Sequence, residues 1–196
     1  MNQQMTDMTR FQAPDAHAYN PVSKFQHWLM AGIWIAAWLI GFAAVHLREE
    51  LNGHHQLTFL HKAIASTVLF LTALRIVWRL THPVPALPDS MSPLMQKAAH
   101  LGHYALYAVA LFALPLSGWI WSSVAGKPIM MMGLFVLPPL TAAAPEYYDT
   151  AKLVHQLLAW SFGIVVLGHA GAALKHHFVD KDGVLKSMLP SWLQRR

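Results

Sequence analysis

The chain has 196 residues, of which 55% are hydrophobic and only 12% charged, about half the charged fraction of an ordinary soluble domain. Its formal charge of +5 comes without a basic stripe or a nucleic-acid-binding motif, which argues against nucleic acid as a partner and for the loop charge of a membrane protein. Cysteine is absent, so disulfides, thiolate metal sites, iron–sulfur ligation by this chain and c-type haem attachment are excluded.

In chain order, residues 1–24 are polar, contain Pro14, Asp15 and Pro21, and lack the apolar centre of a cleavable signal peptide. They are expected to form a cytoplasmic arm. The first apolar segment, residues 25–47, holds no Asp, Glu, Lys or Arg and exceeds the roughly 20 residues needed to cross a bilayer. The second, 58–80, is interrupted by Lys62 and Arg75, which leave twelve uncharged residues between them; near the ends of a span such side chains can snorkel to the surface. The connector after it, THPVPALPDSMSP, is proline-rich and expected to be stiff. The third span is expected over 99–124, with Pro115 inside it, which membrane helices tolerate. Residues 127–150 are partly apolar but too short and proline-broken to cross, and are expected to lie at the outer interface or cap the bundle. The fourth span, 153–176, is followed by a tail, 179–196. Residues 25–178 thus form an all-α, integral membrane, antiparallel four-helix bundle. Ten of the fourteen Lys and Arg residues flank the side that carries both termini, against Arg48, Lys62, Lys127 and Lys152 opposite, which places the N and C termini in the cytoplasm. Trp28, Trp78, Trp119, Trp121 and Trp192 fall near the expected interfaces.

Thirteen histidines in so apolar a chain are its most informative feature. A histidine within a span is costly without a partner and points to function, although any one of them could be wetted by headgroups at a helix end. His155 and His169 are fourteen residues apart. On a helix that is about 21 Å of rise and within about 40° of one face, too far apart to share a metal but suited to two stacked planar cofactors. His27 lies at the depth of His169, and His61 at the depth of His155, so each level can receive a second ligand from across the bundle. Ala159, Gly163, Ala170 and Ala173 are small residues near the same face; they can make room for a cofactor or simply mark close packing. His46 lies about 100° off the face of His27. His54 and His55 lie in the outer loop, and His17 and His82 look like loop residues. His100, His103 and His176, with His177 beside the last, stand at the inner end as candidates for quinone or propionate contacts, or as interfacial anchors.

The stretches SKFQHWL (23–29), RLTHPVPALP, AAHLGHYALYAVALFALPLSGW (98–119), GKPIMMMGLFVLP (126–138) and VHQLLAWSFGIVVLGHAGAALKHHF (154–178) together resemble the bacterial cytochrome b-561 family, four-helix di-haem membrane proteins, over about residues 20–190. The resemblance implies two b-type haems with axial ligands His27, His61, His155 and His169. Family members often carry glycine four residues after the second-helix ligand, where this chain has Ala65; that departure leaves His54 or His55 as alternatives to His61. Some members are superoxide oxidases passing electrons to ubiquinone, and others serve dehydrogenases or periplasmic redox proteins. The expectation is therefore electron transfer between an outer donor and the quinone pool, through iron with both axial positions filled. Lys62, Lys152 and Arg48 lie around the outer ligands, where their charge could steer superoxide. A wiring subunit for a dehydrogenase or hydrogenase is the main rival. A histidine-based metal transporter is a weaker one, since no acidic residue lies inside an expected span.

Overall fold

The computed structural model describes residues 18–87, 91–190, 192 and 193. Arg10, Pro14, Asp15, His17, Arg195 and Arg196 lie outside the described residues, as do 88–90 of the connector. The elements are α1 (Pro21–His46), the short α2 (Arg48–Leu51), α3 (Gln56–Thr81), α4 (Pro93–Ala105), a π-helix (Leu106–Ala113), α5 (Leu114–Val124), strands β1 (Ile129–Met131) and β2 (Phe135–Leu137), a 3₁₀ turn (Pro145–Tyr147), α6 (Tyr148–Lys175), a second π-helix (His176–Asp180) and α7 (Val184–Met188). Four helical stretches are long and apolar enough to cross a membrane: Pro21–His46, Gln56–Thr81, Pro93–Val124 and Pro145–Asp180. Large apolar side chains such as Leu39, Leu74, Ile164 and Leu167 are exposed on them, as expected of surfaces that face lipid rather than water.

The spans begin earlier than hydropathy alone suggests, because local capping sets their starts. Asn20 Oδ1 accepts from the Ser23 amide at 2.8 Å ahead of Pro21, and Ser92 Oγ accepts from the Met95 amide at 3.4 Å ahead of Pro93. Each is a polar N-cap followed by proline at the first helical position. The last span gains a polar first turn containing Asp149 and Lys152.

Each span presents one inward stripe at alternating spacings of three and four residues. On α1 it runs through His27, Met30, Trp34, Ala37, Gly41 and Ala44; on α3 through His61, Ala65, Val68, Thr72 and Arg75; on α6 through His155, Ala159, Phe162 and His169. Midway along, Trp34, Ala110, Leu114 and Phe162 pack into a buried layer, with Val68 and Thr72 of α3 almost fully buried. The third span is distorted there by the π-helix and by Pro115, which together free backbone carbonyls. Neighbouring spans satisfy two of them: Trp34 Nε1 donates to the Ala110 carbonyl at 3.1 Å, and Thr72 Oγ1 to that of Leu111 at 3.1 Å.

At one end, Asn52 closes the turn from α1 to α3. Its Nδ2 donates to the Ala44 carbonyl and to Thr58 Oγ1, both at 2.9 Å, and its Oδ1 accepts from the Leu57 amide at 2.9 Å. This end, reached also by the end of α5 and the start of α6, is called the hairpin end. The opposite end is the terminal end, where Trp28 Nε1 donates to the Met188 carbonyl at 2.9 Å and ties the tail to α1.

Residues 127–150 contain an antiparallel hairpin, β1–β2, in place of an irregular cap. Its turn has Met132 and Gly133 at φ values of 47° and 74°, with the Leu134 amide donating to the Met131 carbonyl at 2.9 Å. The loop between the paired residues Met131 and Phe135 is three residues long, and its first two take the successive positive φ values of a type I′ turn. Ile129, Met131 and Leu137 are buried with Trp119 packed against them, and Phe135 meets Phe70 of α3 edge to face.

Candidate functional site

The inward stripes bring histidines together at both ends. At the hairpin end, His61 of α3 and His155 of α6 have ring centres 6.2 Å apart. His54 and His55 are exposed in the preceding turn, so His61 is the residue that faces His155. At the terminal end, His27 of α1 and His169 of α6 also have ring centres 6.2 Å apart. Two metal–nitrogen bonds of about 2 Å, each with roughly another 1 Å from nitrogen to ring centre, span about 6 Å. Both pairs therefore have the spacing of imidazoles that share one metal atom. His103 lies closer to His169, at 5.5 Å between ring centres, which is tighter than that arrangement needs.

The hairpin-end rings are fixed from behind. His61 Nδ1 lies 2.7 Å from the Ala37 carbonyl, to which it can only donate. Ser117 Oγ donates to the Leu114 carbonyl at 2.7 Å, so its lone pairs accept from His155 Nδ1 at 2.9 Å. Both rings thus carry the proton on Nδ1 and leave Nε2 as a lone-pair donor, the tautomer and support a metal-ligating histidine needs. Glycine allows the approach: a Cβ on Gly41 would lie 2.8 Å from the His61 ring, and one on Gly118 would lie 3.0 Å from that of His155. A cavity of about 1020 Å³, part of it open to the outside, extends from these histidines between all four spans; Phe42, His46, Trp121 and Trp160 help to line it. The Trp121 ring is 5.7 Å from that of His155, and its buried Nε1 has no hydrogen-bond partner among the described residues, a donor left for a ligand with an acceptor group.

At the terminal end, neither His27 nor His169 makes a hydrogen bond to a described residue, while His100 and His103 donate from Nδ1 to the Gln96 and Ala99 carbonyls of their own helix, at 2.7 Å each. His176 is buried, and its Nδ1 donates to Asp182 at 2.6 Å with Asp180 at 3.2 Å. These three residues are close enough to hold a cation, but Lys175 already bonds both oxygens of Asp180 at 2.7 Å. The cluster is an ion-pair network that closes the end of the last span.

The outlying cations behave differently from surface snorkels. Lys62 Nζ donates to Ser122 Oγ of α5 at 2.8 Å, and Arg75 Nε donates to Tyr107 Oη at 2.6 Å, so both turn along neighbouring helices. Lys152 is half-buried one turn before His155, and Arg48 is exposed on α2. The small residues of α6 serve packing: Trp38 Nε1 donates to the Ala159 carbonyl at 3.0 Å, and its indole lies over Gly163.

Sequence spacing alone did not reveal Gly41, Ala37, Ser117 or Gly118. Their only linear signal is that Ser117 and Gly118 stand four and three residues before Trp121 on a span facing His155; nothing in the chain marks Ala37 or Gly41 until α3 is known to lie against α1.

Comparison with known proteins places the chain in a family. The family described as prokaryotic cytochrome b561 matches residues 18–191. Cytochrome b561 homolog 2 of Escherichia coli K12 is 39% identical over 171 residues, covering 87% of this chain and 90% of that protein. A protein of Yersinia pestis named probable superoxide oxidase CybB is 32% identical over 166 residues, covering 84% and 91%. Cytochrome b561 homolog 1 of Escherichia coli K12 is 29% identical over 178 residues, covering 87% and 98%. The four apolar spans, the histidines facing one another across them and a family match over nearly the whole chain lead to one assignment: this bacterial membrane protein belongs to the prokaryotic cytochrome b561 family, whose members bind b-type haem.

Proposed function

We propose that the protein is a di-haem b-type cytochrome of the bacterial inner membrane that carries electrons from a donor at the hairpin end to ubiquinone at the terminal end. In this reading the spans form an antiparallel bundle over residues 25–178, with the arm 1–24 and the tail 179–196 both cytoplasmic. The unequal distribution of Lys and Arg supports that orientation.

The observation that carries the reading is the repeated 6.2 Å spacing of two histidine pairs at opposite ends. His27 and His169 would hold one haem and His61 and His155 the other. Haem bound there would supply a one-electron couple. The chain does the rest. The Ala37 carbonyl and Ser117 fix the hairpin-end rings, and the Trp34–Leu114–Phe162 layer keeps water from the space between the two levels. Ubiquinone takes up two electrons and two protons, so two one-electron donors are consumed for each quinol formed. His100 and His103, bonded to their own helix through Nδ1, keep Nε2 for a quinone carbonyl; His176, held by Asp182, would border the same site.

Superoxide is the donor this reading favours, since each superoxide gives up one electron as it becomes dioxygen and outer-sphere transfer needs no open iron position. The name of the Yersinia pestis relative supports this choice. So do the cations: Lys62 follows His61 in sequence and is fixed on Ser122, next to Trp121 of the cavity, while Lys152 and Arg48 add charge at the same end. Fixed cations beside a low-dielectric wall attract a small anion. Raising salt from 0.01 to 0.1 M shortens the Debye length from about 30 to about 10 Å. Stopped-flow reduction of the holoprotein by superoxide should therefore slow as salt rises, and Lys62→Gln with Lys152→Gln should flatten that dependence with haem content unchanged. No reduction by superoxide would point to a protein donor and to a wiring role for a larger dehydrogenase.

A further inference from the structure

The terminal end carries a group of residues that electron transfer through the histidine pairs does not use. Arg75 continues the inward stripe of α3 that begins at His61 and passes Val68 and Thr72, and Arg79 stands one turn further on at an exposed position. Besides the bond from Arg75 Nε to Tyr107 Oη, the guanidinium carbons of both arginines lie 5.5 Å from the centre of the Tyr107 ring. Two cations thus share one aromatic side chain. Among the described residues, neither has a carboxylate within 4.0 Å: the ion pairs found involve only Lys175 and His176 with Asp180 and Asp182. Tyr19, outside the first span, lines the same cavity as Arg75 and Arg79. Burial pushes its phenol above the ordinary value, against the pull of Arg79 and Arg75, so it stays neutral and cannot act as their counter-ion.

Like charges brought together in partly buried surroundings repel unless an anion lies between them. Here a cavity is available, lined by Tyr19, Ser23, Gln26, Arg75, Arg79 and Tyr107 among others. It borders the terminal histidines on two helices: Ser23 is one turn from His27, and Tyr107 one turn from His103.

We propose that Arg75, Arg79 and Tyr107 form a clamp for the carboxylates of the porphyrin held between His27 and His169. The clamp rests on the haem reading above. Guanidinium forks match carboxylates in shape and charge, and two fixed cations beside an iron couple favour its reduced state. The hairpin-end pair has the opposite setting, because hydrogen bonds from Nδ1 to Ala37 and Ser117 make the ligands more basic. The clamp thereby sets the terminal couple above the hairpin couple, so that electrons run downhill from one end to the other.

The test uses holoprotein in nanodiscs of zwitterionic lipid alone, titrated by redox potential and followed by visible absorption, with His169→Ala identifying the terminal component. In Arg75→Gln/Arg79→Gln, that component should fall by about 59 mV or more, a tenfold change in its reduced-to-oxidised ratio, while the hairpin component keeps its potential. Arg75→Lys/Arg79→Lys, which retains the charge, should recover most of the shift. If the double glutamine variant does not load haem, Arg79→Gln alone, at an exposed position, is read in the same way. Wild-type potentials for both components in the glutamine variants would overturn the clamp. A shift seen only when phosphatidylglycerol is present would also overturn it, because the arginines would then hold lipid phosphate. A wild-type protein lacking the terminal component would remove the haem reading itself, and the clamp with it.

Discussion

Replacing His61 or His155 with alanine is expected to abolish the same one of two redox components, and replacing His27 or His169 the other. The ring centres within each pair are 6.2 Å apart, and the two pairs are separated by the packed layer around Trp34 and Phe162. If each pair holds a haem, loss of either ligand would leave one bond where two held the group. His103→Ala should spare both components, because the His103 ring lies 5.5 Å from that of His169, too near to share a metal in the same way. Redox titration of the five variants decides the pairing. If His27→Ala and His155→Ala removed the same component, the assignment by depth would be wrong. If His103→Ala removed the terminal component and His27→Ala spared it, His103 would be the partner of His169.

Gly41→Val is expected to be as damaging to the hairpin-end component as loss of His61 itself. Even a single added carbon would lie 2.8 Å from Cε1 and Nδ1 of the His61 ring, and the ring cannot retreat without giving up its bond to the Ala37 carbonyl. On helix propensity alone, valine in place of an interior glycine should stabilise α1 by only about a few tenths of a kcal/mol. The clash and the helix therefore pull in opposite directions, and a more stable protein that has lost one component would separate them clearly. Gly32→Ala is the control, since nothing lies within 4 Å of its added carbon. Absorption of the dithionite-reduced variants reads the outcome; a Gly41→Val protein with both components at wild-type strength would show that the His61 ring is not held where the structure puts it.

Much of this arrangement is legible in the sequence because helical periodicity converts spacing into position. The fourteen-residue spacing of His155 and His169 fixes their shared face and their separation, and uncharged runs of bilayer length mark three of the four spans. What could not be read depends on which helix lies against which. The carbonyl of Ala37 and the bare faces of Gly41 and Gly118 become part of a site only when α3 and α6 press rings against them. The inward turn of Arg75 is invisible for the same reason: from sequence it resembles any arginine near a membrane surface, and only Tyr107, thirty-two residues away, shows its direction. The hairpin at 129–137 escaped because its turn uses Met132 and Gly133 rather than the Asn-Gly or Asp-Gly that usually announces such a turn. The early start of the third span was visible in Ser92 and Pro93, but hydropathy gives no weight to a polar first turn.

The most direct test of the central claim is the haem content of the purified protein. A pyridine haemochrome assay against a protein concentration from amino-acid analysis should give two b-type haems per chain, one for each histidine pair. A value near one would contradict the existence of two equivalent sites, and a value near zero would contradict the haem reading of both pairs.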